Sequence, residues 1–443
     1  MSQQDPLLPV VGAGLAVPVL DGPDRRYVNL DCAATAPALV SVAERVVAAL
    51  PYYGSVHRGG GYPSLVTSMA YEAARAQIGD FVGARDDDVV VVTRHTTDAL
   101  NLLAHAVAAM DGHVVLLDIE HHANLLPWRT GRHTCVPAAA TWAQTRDRLA
   151  ETLAARPTAL LTIAGASNVT GEVIPLDDVV ALARRFGARL AVDAAQLAPH
   201  RRIDMSAQGI DYVAFSGHKL YAPYGAGALV GRRDWLDAAD PYLYGGGTVE
   251  SVGDDDAVFA PAPQRHEGGT PNVLGAIALG AACDAVSELA EGAIARHDAA
   301  LLARLADGLA PLGDRVRVHS IFTDLPDRVG IACLTIPAAD PALIAAILSA
   351  EHAVGVRSGS FCAHPLVRRL VGPGGGLRVS VGLGSSTCDI DALLAGLVRA
   401  LTSQPHRYHR VRGQWAPVAD TRRAPGLGPL EPGAGASPCA AVV

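Results

Sequence analysis

A lysine placed at the end of a buried strand can offer its amine to a ligand at the sheet edge. The segment Phe215-Ser-Gly-His-Lys-Leu220 has this form, directly after the strand-like Asp211-Tyr-Val-Ala-Phe215. Open α/β sheets bind ligands at the carboxyl ends of their strands. There Lys219 could form a Schiff base with a carbonyl compound, with Ser216 and His218 as donors to an anionic group. Gly217 allows close backbone approach. The bland alternative is a lysine on a surface loop, where most lysines sit.

Three further segments carry groups suited to the same edge. In Ala191-Val-Asp-Ala-Ala-Gln196, Asp193 ends an apolar strand and Gln196 lies one turn on. A carboxylate there could hold a proton on a ring nitrogen and an amide could donate to a ring oxygen, although such an aspartate also commonly caps a helix. Ile119-Glu-His-His-Ala-Asn124 follows the strand ending at Asp118. A histidine here could lie on a flat ring and move protons, because imidazole titrates near neutral pH. Adjacent His121 and His122 would point in different directions, and no HExxH pattern or nearby cysteine accompanies them, so no metal site is expected. His95-Thr-Thr-Asp-Ala-Leu-Asn101 follows a strand and opens a helix, where hydroxyls and free amides make an anion site or simply cap the helix.

The elements that must position these groups alternate between helical and strand periods from residue 37 to about 235. Helical stretches cover Ala38–Leu50, Thr67–Phe81 and Asp98–Ala109. Apolar runs cover Val89–Thr93, His113–Asp118, Ala159–Ile163 and Arg189–Asp193. Continuous apolar runs suit strands buried on both faces, so the alternation predicts a mainly parallel sheet with helices on both sides. A second unit begins near residue 290 and reads helix, strand, strand, helix, strand, helix through Ala293–Leu309, Val316–Ser320, Gly330–Ile336, Pro341–Glu351, Leu377–Val381 and Ile390–Leu401. The expected divisions are an N-terminal arm over 1–26, a large domain over 27–289, a smaller α+β domain over 290–403 and a disordered tail over 404–443. The tail is rich in Pro, Gly and Ala and holds too little apolar surface to offset its ordering entropy.

Composition narrows the class. The 443 residues suit two or three domains, and with half of them hydrophobic and 18% charged a sizeable core is available. The net charge is −8 and no basic block occurs, which argues against a nucleic-acid partner. Seven scattered cysteines without CxxC spacing point to a reducing cytoplasm rather than a disulfide framework or zinc site. The apolar stretch Leu7–Leu20 is too short to span a membrane and lacks the basic residues of a signal peptide, so it reads as a lead-in arm.

In this order, the four motifs resemble the group II cysteine desulfurase and selenocysteine lyase family of class V aminotransferase type. The resemblance runs from about Asn29 to Leu401 and includes Asn29-Leu-Asp-Cys-Ala-Ala-Thr35, Val56-His-Arg-Gly59, Ser167-Asn-Val-Thr-Gly171, Gly245-Gly-Gly247 and Glu267-Gly-Gly-Thr-Pro-Asn272. It implies an α/β fold of the PLP-dependent transferase fold type I, with a mainly parallel seven-stranded-type sheet and a smaller C-terminal α+β domain. It also implies pyridoxal 5'-phosphate (PLP), with Lys219 as the Schiff-base lysine, Asp193 on the pyridine nitrogen, Gln196 on the phenolic oxygen and His121 on the ring. Thr97, Ser216 and His218 would hold the phosphate, joined by Thr270 from the other subunit of a homodimer with shared sites. Asn168 and Arg378 would bind the substrate carboxylate, with His57 and Arg357 as further substrate-binding residues.

Val356-Arg-Ser-Gly-Ser-Phe-Cys-Ala-His-Pro-Leu366 resembles the segment that carries that family's sulfur-accepting cysteine. Cys362 would take sulfur from L-cysteine as a persulfide and leave L-alanine, and Arg357, Gly359 and His364 suit an accessible thiolate. A small buried cysteine is the ordinary alternative. Three departures from the family stand out, most of them near the substrate: Phe361 stands where the family has His, His95 where it has Gly close to the phosphate site, and Gly384-Ser-Ser386 where it has an aromatic–Asn–Thr segment. A Gly-rich insert, Val371-Gly-Pro-Gly-Gly-Gly376, also precedes Arg378. The expected reaction is therefore desulfuration of L-cysteine or an analogue, with a sulfur-acceptor protein as a further partner. The alternatives are a C–S lyase, epimerase or aminotransferase acting on a different amino acid. A non-catalytic PLP-binding protein would have no need for Lys219, Asp193 and His121 together.

Overall fold

The computed structural model describes residues 4–110, 112–337, 339–402 and 406–422. It divides into two compact units, one within residues 35–296 and 320–329, the other within 1–34, 297–319 and 330–443.

The larger unit is built on a seven-stranded sheet. Its strands are β1 (Asp88–Thr93), β2 (Val114–Leu117), β3 (His133–Val136), β4 (Leu160–Ala164), β5 (Arg189–Asp193), β6 (Tyr212–Ser216) and β7 (Gly227–Arg232). The spatial order is β1-β7-β6-β5-β4-β2-β3. Strands β2 to β6 pair in parallel, and β7 runs antiparallel to both β6 and β1. Every residue of β2 and β6 is buried, which is why these runs are almost wholly apolar rather than alternating, Ser216 at the end of β6 being the exception. Strands β3 and β7 had no expected counterpart, because short segments bounded by Gly and Arg give little periodic signal. The helix expected from Thr67 starts at Tyr62, with Pro63 in its first turn, where a missing N–H costs nothing.

The smaller unit holds a four-stranded antiparallel sheet and the helices Pro341–His352, His364–Val371 and Thr387–Thr402. Its boundaries differ from those expected. Val28–Asn29 pairs in parallel with Val354–Gly355, so the residues before 35 belong to this unit. Residues 320–329 belong to the larger unit, where the buried Glu172 carboxylate accepts the Ile321 and Phe322 N–H groups at 2.9 and 2.8 Å.

The tail expectation is corrected over residues 406–422. Tyr408–Val411 and Gln414–Pro417 form a hairpin whose turn places Arg412 and Gly413 at positive φ. Trp415 Nε1 and Arg410 donate to Asp340 Oδ2, each at 2.8 Å, and the Tyr408 hydroxyl donates to Glu351 at 2.9 Å. Composition missed this because two aromatic side chains and one arginine, each bonded to a carboxylate, hold the hairpin, not apolar bulk. Cys439 lies outside the described residues. Among the described residues no helix is long and apolar enough to cross a membrane.

Candidate active site

Five strands of the larger unit deliver their following residues to one sheet edge. The chain leaves β1 into Thr96, β2 into His121, β4 into Asn168, β5 into Asp193 and Gln196, and β6 into Lys219. The parallel pairing of β2 to β6 makes this edge common to four of them, and β1 ends there too because β7 runs antiparallel to both β1 and β6.

Lys219 follows the last buried residue of β6 on a tight turn, its N–H donating to Ser216 O at 3.3 Å. It is the only lysine in the chain, against 35 arginines. Spacing alone did not use that signal, although a chain that carries its positive charge on arginine keeps an amine only where an arginine cannot serve. Asp193 is buried at the end of β5, where its Oδ1 accepts the Ala195 N–H at 3.0 Å. Burial raises its pKa, and the Ala195 amide and the Lys219 charge pull it back. Asp193 caps its own turn, so the two readings of this residue are compatible. Gln196 is buried on the same turn.

His121 opens the short helix His122–Leu125 and its Nδ1 accepts the Ala123 N–H at 3.0 Å. The neutral ring therefore carries its hydrogen on Nε2. His122 lies beside it with the ring centroids 6.3 Å apart.

The N-terminus of the helix Thr96–Ala109 is set against Ser216, an arrangement of amides and hydroxyls that suits an anion. Thr97 is exposed at its second position, while Thr96 is buried and bonds Ser216 Oγ through both its N–H at 2.7 Å and its hydroxyl at 2.6 Å. Sequence reasoning passed over Thr96, because adjacent threonines look alike until the fold sets one toward β6. A Cβ at Gly227 would lie 2.7 Å from His95 Cα, so glycine permits this approach of β7. His95 caps the helix through Nδ1 from the Asp98 N–H at 3.1 Å. His218 has its pKa lowered to about 4 by burial and by the Lys219 and His95 charges, so it meets an anion as a neutral donor.

Asn168 is buried on the turn after β4, which Gly171 completes at φ 81°. His57 is tied to the helix Tyr62–Phe81: its Nε2 lies 3.0 Å from Glu72 and its N–H donates to Ser68 Oγ at 2.8 Å. Thr270 is exposed just before the helix Val273–Ser287.

The smaller unit brings Arg357, Phe361, Cys362 and Arg378 together. Arg378 is buried, lies opposite Arg357 in register and donates to Asp31 Oδ1 at 3.0 Å. Its guanidinium sits 5.1 Å from the centre of the Phe361 ring. Phe361 is buried and Cys362 exposed, both in the left-handed region at φ 51° and 54°. Such residues cost of order 1 kcal/mol or more each and persist only where surroundings fix them. The buried ring under Arg378 does so, and it turns the Cys362 side chain outward. The Phe361 departure thus anchors the thiol-bearing turn to the arginine.

The donor set fits PLP: one amine, a buried carboxylate at a strand end, an imidazole beside the same edge, and a helix N-terminus with hydroxyls for a phosphate. Fold and site together define a fold type I PLP enzyme. The class-V aminotransferase family model matches residues 28–393, and the chain belongs to that family. It is 37% identical to a "Probable cysteine desulfurase" of Pseudomonas putida over 78% of this chain and 88% of the relative. A relative of the same name from Halalkalibacterium halodurans is 33% identical over 84% and 92%. The structure of the cysteine desulfurase CsdA from Escherichia coli superposes with TM-score 0.76 at 31% identity, covering 85% of this chain and 94% of that one. The chain is a PLP-dependent enzyme of cysteine desulfurase-like type.

Proposed function

We propose that the enzyme converts L-cysteine to L-alanine and receives the sulfur on Cys362 as a persulfide. The observation that carries this reading is the turn at Cys362, exposed yet pinned through Phe361 to Arg378, a buried cation suited to a substrate carboxylate.

PLP, when bound, supplies an electron sink for the pair left on the substrate carbon. Lys219 would hold it covalently, and its amine, when free, would move the substrate's α-proton. Asp193 would stabilise a proton at the ring nitrogen, Gln196 would donate to the phenolic oxygen and His121 would hold or move a proton at Nε2. Thr97, Ser216 and His218 bind the phosphate. Arg378 and Asn168 orient the substrate carboxylate, with Arg357 and His57 as further contacts. The Cys362 thiolate then attacks the substrate sulfur, so that an S–S bond forms as the Cβ–S bond breaks. The electron pair stays with carbon, which takes a proton from His121 or Lys219. Sulfur is oxidised to the sulfane level, the β-carbon is reduced, and alanine leaves. A thiol acceptor, an acceptor protein included, then takes the sulfane sulfur. Assaying alanine and sulfide from L-cysteine in the presence of a reducing thiol tests the reaction: stoichiometric formation of both supports it, and formation of pyruvate or a keto acid instead contradicts it.

Replacing Asp193 by Asn is expected to leave PLP bound through its phosphate while cutting turnover by about 100-fold or more, since the ring nitrogen loses its proton partner. A near-normal rate in that variant would remove Asp193 from the site.

The functional form proposed is a cytoplasmic homodimer in which Thr270 reaches the partner's phosphate site. An exposed apolar face on the larger unit supports the pairing: Val47, Leu50, Tyr62, Leu65 and Met69 stand out, Tyr62 at 70% exposure. Beside it Val66, Val273 and Ile277 help line a cavity of about 300 Å³, and Val273 opens the helix that Thr270 precedes. Charged substitutions at Leu65 and Met69 together are expected to give an inactive monomer in sedimentation, whereas an active monomer would contradict shared sites.

A further inference from the structure

We infer that Glu120 is a positioning residue for the two ring contacts of the cofactor site, tying the segment that carries His121 to the strand end that carries Asp193. The inference rests on the PLP reading above and concerns a residue to which that reading gives no role.

Glu120 directly precedes His121 and is 1% exposed. Its Oε2 accepts two hydrogen bonds, from Asn124 Nδ2 at 2.7 Å and from the Ala164 N–H at 2.8 Å. Ala164 is the register partner of Asp193 across β4 and β5, and the next residue, Gly165, donates its N–H to Asp193 O at 2.9 Å. Asn124 in turn accepts from Trp128 Nε1 at 3.1 Å and Thr162 Oγ1 at 2.7 Å, and its own N–H donates to His121 O at 2.8 Å. A single buried network therefore fixes the backbone under His121 against the two strands that end beside Asp193. Glu120 is the one member that reaches the backbone of β4 from the His121 segment itself.

The charge state matches this role. Burial raises the Glu120 pKa to about 8, and Asp193 and Asp118 push it the same way, while the Asn124 and Ala164 bonds oppose them. The Glu120 charge in turn raises the pKa of the Cys135 thiol of β3, after burial and Asp118. At neutral pH the side chain is mostly the neutral acid. Its Oε1, which has no hydrogen-bond partner among the described residues, then carries the proton, and Oε2 serves as the acceptor. A neutral acid adds no second negative charge beside Asp193, which must stay anionic to keep the ring nitrogen protonated.

Glutamine reproduces the acceptor and the shape without an ionisable proton; alanine removes both. The test titrates the apo forms of wild type, Glu120→Gln and Glu120→Ala with PLP at a temperature where each is folded, and follows the cofactor absorbance of each holo form across pH. Glu120→Gln is expected to match wild type in affinity and in the pH midpoint of the absorbance. Glu120→Ala is expected to weaken PLP by about tenfold or more and to move that midpoint, because two buried donors lose their acceptor under the site. Wild-type affinity and midpoint in folded Glu120→Ala would show a purely structural residue and overturn the inference. So would a Glu120→Gln variant that departs from wild type, and this arm decides alone if the alanine variant does not fold. A wild-type protein that binds no PLP would instead refute the cofactor reading itself.

Discussion

Replacing Lys219 by Ala is expected to give a protein that no longer forms a borohydride-stable link to PLP and has lost turnover on the order of 10⁴-fold or more. The expectation is sharper than for most enzymes of this kind, because Lys219 is the only lysine and no second side-chain amine exists to substitute for it. Arginine cannot take its place: a guanidinium stays protonated and is no nucleophile at accessible pH. The proposed phosphate contacts Thr97, Ser216 and His218 and the carboxylate of Asp193 are untouched, so PLP should still associate without a covalent bond. Absorbance after dialysis and peptide mapping of borohydride-treated protein check both points. In wild type the reduced adduct should map to Lys219 alone, and an adduct that survives in the variant would end the assignment.

The second large effect is expected at Cys362. In Cys362→Ala, substrate binding should persist, since the proposal rests it on Lys219, Asn168 and Arg378. The reaction should then stall, because the sulfur has no thiolate to accept it, and alanine release from L-cysteine should fall about 10³-fold. L-Selenocysteine should suffer a smaller loss, because selenium leaves carbon more readily without a nucleophile. A loss confined to kcat with KM retained would mark a group needed after binding. Unchanged alanine release in the variant would instead favour a C–S lyase or aminotransferase.

Much of the larger unit was legible because its chemistry is local. Lys219, Asp193 and His121 each follow a buried strand within a few residues, so apolar runs and polar punctuation together located the sheet edge. The antiparallel β7 was not legible: its role appears only in the glycine at 227, which lets it pass under His95. Contacts between distant segments were equally hidden. Thr96 meets Ser216 across 120 residues, and Glu120 reaches Ala164 across 44, and neither spacing has a periodic signature.

In the smaller unit, Cys362 and Arg378 could be assigned by resemblance, whereas the stacking of Phe361 on Arg378 could not. Read along the chain, Phe361 was an apolar residue out of place beside a nucleophile. Packed, it is the buried half of a two-residue left-handed turn whose other half is the exposed thiol. The hairpin over 408–417 escaped for a different reason. Its anchors, Asp340 at the N-cap and Glu351 near the end of the helix Pro341–His352, lie far upstream, so the local composition of the tail carried no trace of them.

The most direct test is mass spectrometry of the Cys362 peptide after brief exposure of the holoenzyme to L-cysteine, followed by alkylation without reductant. The expected result is one additional sulfur atom on Cys362, formed in proportion to alanine released in the first turnover and absent in Lys219→Ala. Stoichiometric alanine release with Cys362 unmodified would contradict a persulfide on this residue.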